Sequence, residues 1–252
     1  LFERGSRRIR LTDAGRTLYS RIEHILGLVD GALTEISEIG GGYKGSIRLG
    51  AITTSGAMLL PKIINSFHKN YPEVTFQIWE GEGTRILELL DNLVIEIGIT
   101  RNQVDPAIYE SIVLTGEPLV MIMNKEQECG EDAEKVRLIE LKDKPLIIPL
   151  RWQALFVANC KKAGFDPKII CVSDSIVQDL LFVKMGMGLA MLPVSSKSLL
   201  TDGNLVYKQL VEPEMTTHTV VSWLKNHTLS SGSQHFLAMF REMYDLKYKE
   251  RR

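Results

Sequence analysis

Apolar positions follow different rhythms in different parts of this 252-residue chain. In RRIRL (7–11) basic and apolar side chains alternate as in a short strand, and Gly5-Ser6 ahead of it predicts the turn of a hairpin. Thr12-Asp13 then offers an N-cap and a first-turn acid, followed by Leu18, Ile22, Ile25, Val29, Leu33 and Ile36. Steps of three and four predict a long helix with one apolar seam, stopped and hinged at Gly40-Gly41-Gly42. No neighbouring segment of equal length receives that seam. The same helix of a second copy is the expected partner, and packing on the chain's own globular body is the alternative.

From Gly45 the rhythm changes to strands and helices in alternation. Strands are expected at 46–51 (SIRLGA), 74–80 (VTFQIWE) and 95–100 (IEIGIT), with helices at 58–69 and 86–90. That order predicts a parallel sheet covered by helices. After EPLVMIMN (117–124) a second unit follows: strands at 145–150, 168–172 and 189–193, helices at 154–162 and 176–185. Strand-like runs at 204–211 and 218–224 and an amphipathic helix at 234–248 close the chain. Crossings near 113–118 and 214–219 give one lobe of about 45–114 with 217–252 and another of about 115–216, with a cleft between them.

Composition narrows the class. The chain is 44% hydrophobic and 24% charged with net charge −1, and no apolar run approaches the roughly 18 residues of a membrane span, so no membrane role is expected. The basic character is local, since residues 1–10 hold Arg4, Arg7, Arg8 and Arg10 against Glu3 alone. Cys129, Cys160 and Cys171 lack C-x-x-C spacing, which suits reduced thiols in a cytoplasmic protein. The start of the chain has no secretory apolar segment, and Asn226-His227-Thr228 is read as an incidental sequon.

Catalytic chemistry is not written here. The five histidines share no metal-ligand spacing, and no G-x-S-x-G elbow or P-loop is present. No enzyme activity, metal or cofactor is expected. Polar groups gather instead where strands end, the place at which open α/β sheets receive ligands. Thr53, Thr54, Ser55 and Gly56 follow the first strand and lead into a helix; Thr84 precedes the next helix and Arg101 follows the third strand. In the second unit, Arg151, Trp152 and Gln153 follow PLIIPL, and Ser173 to Ser175 follow KIICV. Hydroxyls, helix starts and two arginines suit a small carboxylate or similar anion. The plainer reading is that Thr54, Ser55, Thr84 and Ser175 cap helices and Trp152 packs.

These residues carry a likeness. LFERGSRRIRLTDAG (1–15) closely resembles the wing and linker-helix start of LysR-type transcriptional regulators. GSIRLGA, LLPKIINSFHKNYPEVTFQIWEGEGTRILELL and VKMGMGLAMLPVS resemble that family's effector-binding domain in order and spacing, so the likeness spans essentially the whole chain. It implies an α/β fold: a two-lobed, type 2 periplasmic-binding-protein-like effector domain at 43–252, preceded by a wing remnant at 1–11 and a linker (dimerisation) helix and hinge at 12–42. Most of the N-terminal winged helix-turn-helix, recognition helix included, is then expected to precede Leu1. Arg4, Arg7 and Arg8 fall on the wing and Thr12 on the linker-helix cap, which makes them the DNA-binding candidates. Met187 and Gly188 complete the effector-binding candidates.

The chain departs from the family in DNLVIEIGI, with Asn92 where a glycine and Glu96 where an aspartate are usual. The implied function is a cytoplasmic regulator that binds promoter double-stranded DNA, pairs as a homodimer or homotetramer, can engage RNA polymerase, and answers to a small-molecule effector held between its lobes. A cytoplasmic solute-binding protein without a DNA role is the alternative.

Overall fold

The computed structural model describes residues 1–4, 9–19, 21–22, 25–26, 29, 45–101, 103–201, 203–211 and 215–249, with the side chains of 4, 9, 10 and 245–249 outside that description. Arg7, Arg8, the Gly5-Ser6 turn, Leu33, Ile36 and the glycines at 40–42 lie outside the described residues. The chain divides into two compact units, Leu1–Leu114 with Thr219–Arg252, and Thr115–His218.

In the first unit, Phe2–Arg4 pairs antiparallel with Ile9–Leu11, placing Glu3 opposite Arg10. Thr12 Oγ1 accepts the Gly15 N–H at 3.0 Å, as an N-cap should. Residues 13–19 are helical, as are 21–22, 25–26 and 29. The described seam positions Leu18, Ile22, Ile25 and Val29 are all exposed among the described residues.

The first unit's sheet runs in the order Val74–Glu80, Gly45–Ala51, Ile97–Thr100, Val220–Leu224, Tyr109–Val113. The first three strands are parallel, but Val220–Leu224 is antiparallel to both of its neighbours. The β-α-β-α-β unit thus forms the expected parallel sheet, and the returning C-terminal strand, entering in the opposite direction, makes the completed sheet mixed. Tyr109–Val113 (YESIV) escaped the sequence pattern, being an edge strand with three exposed positions. Period-two alternation gives the sheet two apolar faces. On one, Leu49, Ile97, Ile99 and Val221 meet Leu59, Ile63, Phe67, Phe236 and Phe240. On the other lie Ile86, Leu89 and Leu90 of helix Gly83–Asp91. That helix sits close because Gly98 has no side chain: a Cβ there would lie 2.8 Å from Leu90 Cδ1.

The second unit's sheet runs Ile169–Ser173, Leu146–Pro149, Leu189–Pro193, Glu117–Asn124, Leu205–Leu210, Lys135–Val136, with Thr216–Thr217 also pairing on Glu117–Asn124. Its strands sort their side chains in the same way. Met121, Met123 and Met191 pack with Trp152, Phe156 and Cys160, whereas Val120, Ile122, Ala190 and Leu192 pack with Leu180 and Val183.

Four helices begin earlier than their apolar spacing indicates, at Thr53 rather than 58, Gly83 rather than 86, Leu150 rather than 154 and Ser231 rather than 234. At Thr53, Gly83 and Ser231 hydroxyl and glycine residues read as loop in sequence, yet a first helical turn accepts them because its N–H groups have no intrahelical partner in any case. At Leu150 the apolar run PLIIPL reads as strand through the residue that starts the helix.

Candidate functional site

At the strand ends of the first unit, helix Thr53–Asn70 starts after Ile52 with no side chain capping it. Its first N–H groups have no intrahelical partner and carry the positive end of the helix dipole. Thr53 Oγ1 donates to Glu80 Oε1 at 2.6 Å. Thr54 Oγ1 accepts from Arg101 Nη2 at 3.4 Å, drawing the arginine that follows the third strand toward the helix start. Thr53, Thr54, Glu80 and Arg101 are thus joined in two pairs across three adjacent strand ends.

Ser55 and Gly56 play another part. Ser55 is fully buried, and its hydroxyl lies 2.9 Å from Thr219 Oγ1, so it braces the sheet. Gly56 donates its N–H to Ile52 O at 2.8 Å, and a Cβ on it would sit 3.0 Å from Ala51 Cβ, which makes it a close-packing position. Thr84 is exposed in the first turn of Gly83–Asp91, a helix whose N-cap, Glu82, makes no side-chain cap bond.

In the second unit, helix Leu150–Lys162 also starts without a side-chain cap, after Pro149. Arg151 is exposed in its first turn, with its guanidinium carbon 5.6 Å from the Trp152 ring centre. A cation at a helix start opposes the dipole, and stacking on the indole offsets that cost. Trp152 is buried in the core of the second unit. Gln153 is half-buried beside them. Ser175 caps helix Ile176–Lys184 by accepting the Gln178 N–H at 3.4 Å. Met187 is exposed, whereas Gly188 is buried where a Cβ would come within 2.6 Å of the Pro145 carbonyl oxygen.

Sequence reasoning missed Glu80 and Asp179. Glu80 is the last residue of VTFQIWE, in register with Ala51, and only that register brings it to Thr53. Asp179 is fully buried inside a helix, where periodicity alone reads a polar residue as surface. Burial holds its carboxyl above the ordinary aspartate range, with Asp174 adding and the Ser173 hydroxyl opposing. Glu96, at the family's usual aspartate, is also buried. It accepts the Ser230 N–H at 2.9 Å and lies 4.0 Å from Arg48 Nε.

Among the described residues no cluster of three His, Cys, Asp or Glu is arranged to hold a metal ion. None of the described helices is long and apolar enough to cross a membrane.

Residues 40–245 match the LysR substrate binding domain family. The HTH-type transcriptional regulator YwbI of Bacillus subtilis (strain 168) is 28% identical over 210 residues, spanning 81% of this chain and 68% of YwbI. Full-length CbnR, solved in complex with its target DNA, superposes with a TM-score of 0.73 at 18% identity, over 93% of this chain and 82% of that one. The effector binding domain of QuiR, solved in complex with shikimate, gives 0.68 at 22% identity, over 80% of this chain and 98% of that domain. At such identities these two structures establish the α/β fold of the effector-binding domain. With residues 40–245 of its 252 matched, the chain belongs to the LysR family of transcriptional regulators, and that stretch is its substrate-binding domain.

Proposed function

We propose that this chain senses a small carboxylate for a DNA-binding transcriptional regulator. The observation that carries the reading is the Arg101–Thr54 pair at the uncapped start of helix Thr53–Asn70. A guanidinium, a hydroxyl and free N–H groups at one strand end give an anion charge-assisted donors. Arg151, at a second uncapped helix start, offers the same chemistry in the second unit. Shikimate, the molecule bound to QuiR, is itself a carboxylate.

The effector acts by population. It shifts the regulator only by the difference in its affinity for two arrangements, so tight binding alone is not sufficient. The exposed seam of Leu18, Ile22, Ile25 and Val29 supports pairing through the long helix with a second copy, which would carry that shift to the DNA-binding heads. The N-terminal segment, with Arg4, Arg7 and Arg8 in sequence before the Thr12 cap, is the part proposed to contact promoter DNA, and the likeness to DNA-bound CbnR supports that reading. The regulator works in the cytoplasm, where its promoter is.

The test is a thermal-shift screen of small carboxylates, shikimate and amino acids among them, since a ligand that binds the folded state raises apparent stability. Thr54→Ala and Arg151→Ala abolish the shift of any hit and leave the dimer intact. Unchanged affinity in both variants, read by calorimetry, removes these residues from the site.

A further inference from the structure

Asp179 is fully buried in helix Ile176–Lys184. Its Oδ1 accepts the Ser173 hydroxyl at 2.6 Å, while its Oδ2 is buried with no hydrogen-bond partner among the described residues. The same Ser173 oxygen accepts the Ser175 N–H at 3.2 Å. Ser175 in turn caps the helix through the Gln178 N–H. A chain of hydrogen bonds therefore runs from the buried carboxyl to the turn 173–175, where the second unit presents its strand end.

The orphaned oxygen decides which form of Asp179 fits. Ionised, the group places charge on a buried Oδ2 that nothing answers; neutral, it leaves one unbonded polar atom, a far smaller penalty. Asp179 lies in the first turn, where the helix start favours the ion, and the burial of an Oδ2 with no partner works against it. The charged neighbour that acts on the group is Asp174, and it opposes ionisation. The strands packed against this helix, at 117–124, 146–149, 169–173 and 189–193, bring only Glu117 and Cys171 as titratable side chains. Glu117 is engaged with the Ser195 N–H at 2.8 Å. Lys184 lies at the far end of the helix itself.

We propose that Asp179 is a positioning residue that makes the turn 173–175 sensitive to pH. The Ser173 hydroxyl donates to the carboxyl in either form, and more strongly to the ion. What loosens the turn on ionisation is the unanswered charge on the buried Oδ2, which draws the carboxyl toward water and away from its place beside Ser173. The functional consequence, weaker effector binding as pH rises through the titration of Asp179, rests on the reading of the strand ends as the effector site.

The experiment follows the Ser175 amide resonance of the 252-residue chain against pH by NMR, in the wild type and in Asp179→Asn. The wild-type resonance should titrate with a midpoint above the ordinary aspartate range, and Asp179→Asn should flatten it. A midpoint in the ordinary range, or a titration that persists in Asp179→Asn, overturns the proposal. If Asp179→Asn does not fold, Ser173→Ala takes its place: Asp179 still titrates, and a Ser175 amide that still follows it rejects the link. Calorimetry with a carboxylate that passes the thermal-shift screen reads the consequence. Affinity should fall several-fold through the midpoint in the wild type and stay level in Asp179→Asn. A level wild-type profile rejects the coupling and leaves the site reading intact. Binding of no carboxylate at any pH sinks the site reading, while the amide titration still judges Asp179.

Discussion

The hydroxyls of Ser55 and Thr219 meet at 2.9 Å in the first unit, tying the first turn of helix Thr53–Asn70 to the residue at which the chain re-enters that unit. Both residues are buried, so the pair has no water to fall back on. Ser55→Ala should lower stability by about 1–2 kcal/mol in urea denaturation, the cost of one buried bond lost and a hydroxyl left to find another partner. Its affinity for the effector should equal that of the wild type, in contrast to Thr54→Ala.

Glu96 holds the start of helix Ser231–Lys249 through the Ser230 N–H, and Arg48 stands on its other side. Removing one partner of a buried ion pair leaves the other uncompensated and typically costs about 3–5 kcal/mol. Glu96→Ala should lose about 3 kcal/mol in urea denaturation, the wide 4.0 Å separation keeping it at the lower end. Glu96→Gln keeps an acceptor for Ser230 and should lose less. Equal stability of Glu96→Ala and wild type would show that the contact carries no weight.

Burial pushes the Cys160 thiol up from 9.0 to about 11. The sign follows from linkage: a group whose folded pKa is raised contributes stability that is complete below the unfolded value and is lost as pH rises toward the folded one. The stability advantage of the wild type over Cys160→Ala should therefore shrink between pH 9 and about 11, by up to about 2–3 kcal/mol. In the native state, iodoacetamide should leave Cys160 unmodified at neutral pH and alkylate it once the chain is denatured.

On the proposed reading, Arg4, Arg7 and Arg8 contact phosphates, which carry little sequence information. Arg7→Ala combined with Arg8→Ala should weaken the regulator's binding to promoter and to random DNA by similar factors and flatten the salt dependence of both. A gel-shift titration that shows loss at the promoter alone would assign these residues to base recognition instead.

The boundaries of most elements were legible because the chain punctuates them. VTFQIWE, EPLVMIMN and LAMLP coincide with their strands residue for residue, since each apolar run is bounded by Pro, Gly or charge. Hydroxyl-rich helix starts were not legible, because Thr53-Thr54-Ser55-Gly56 reads as loop until a sheet places it. Tyr109–Val113 was missed because its exposed, charged face alternates too weakly to mark a strand.

By itself, the sequence determined the succession of α/β units, the basic hairpin, the apolar seam and the family, all of which are local patterns of spacing and residue type. Only the tertiary structure decided which hydroxyl does what. Thr54 meets Arg101, Ser55 meets Thr219, and Ser175 caps its own helix, although the three look alike in sequence. It also set the direction of the returning strand Val220–Leu224 and buried Asp179 and Glu96. The reason is that partners separated by up to 164 positions meet through strand register and burial, and neither quantity is a property of a short window.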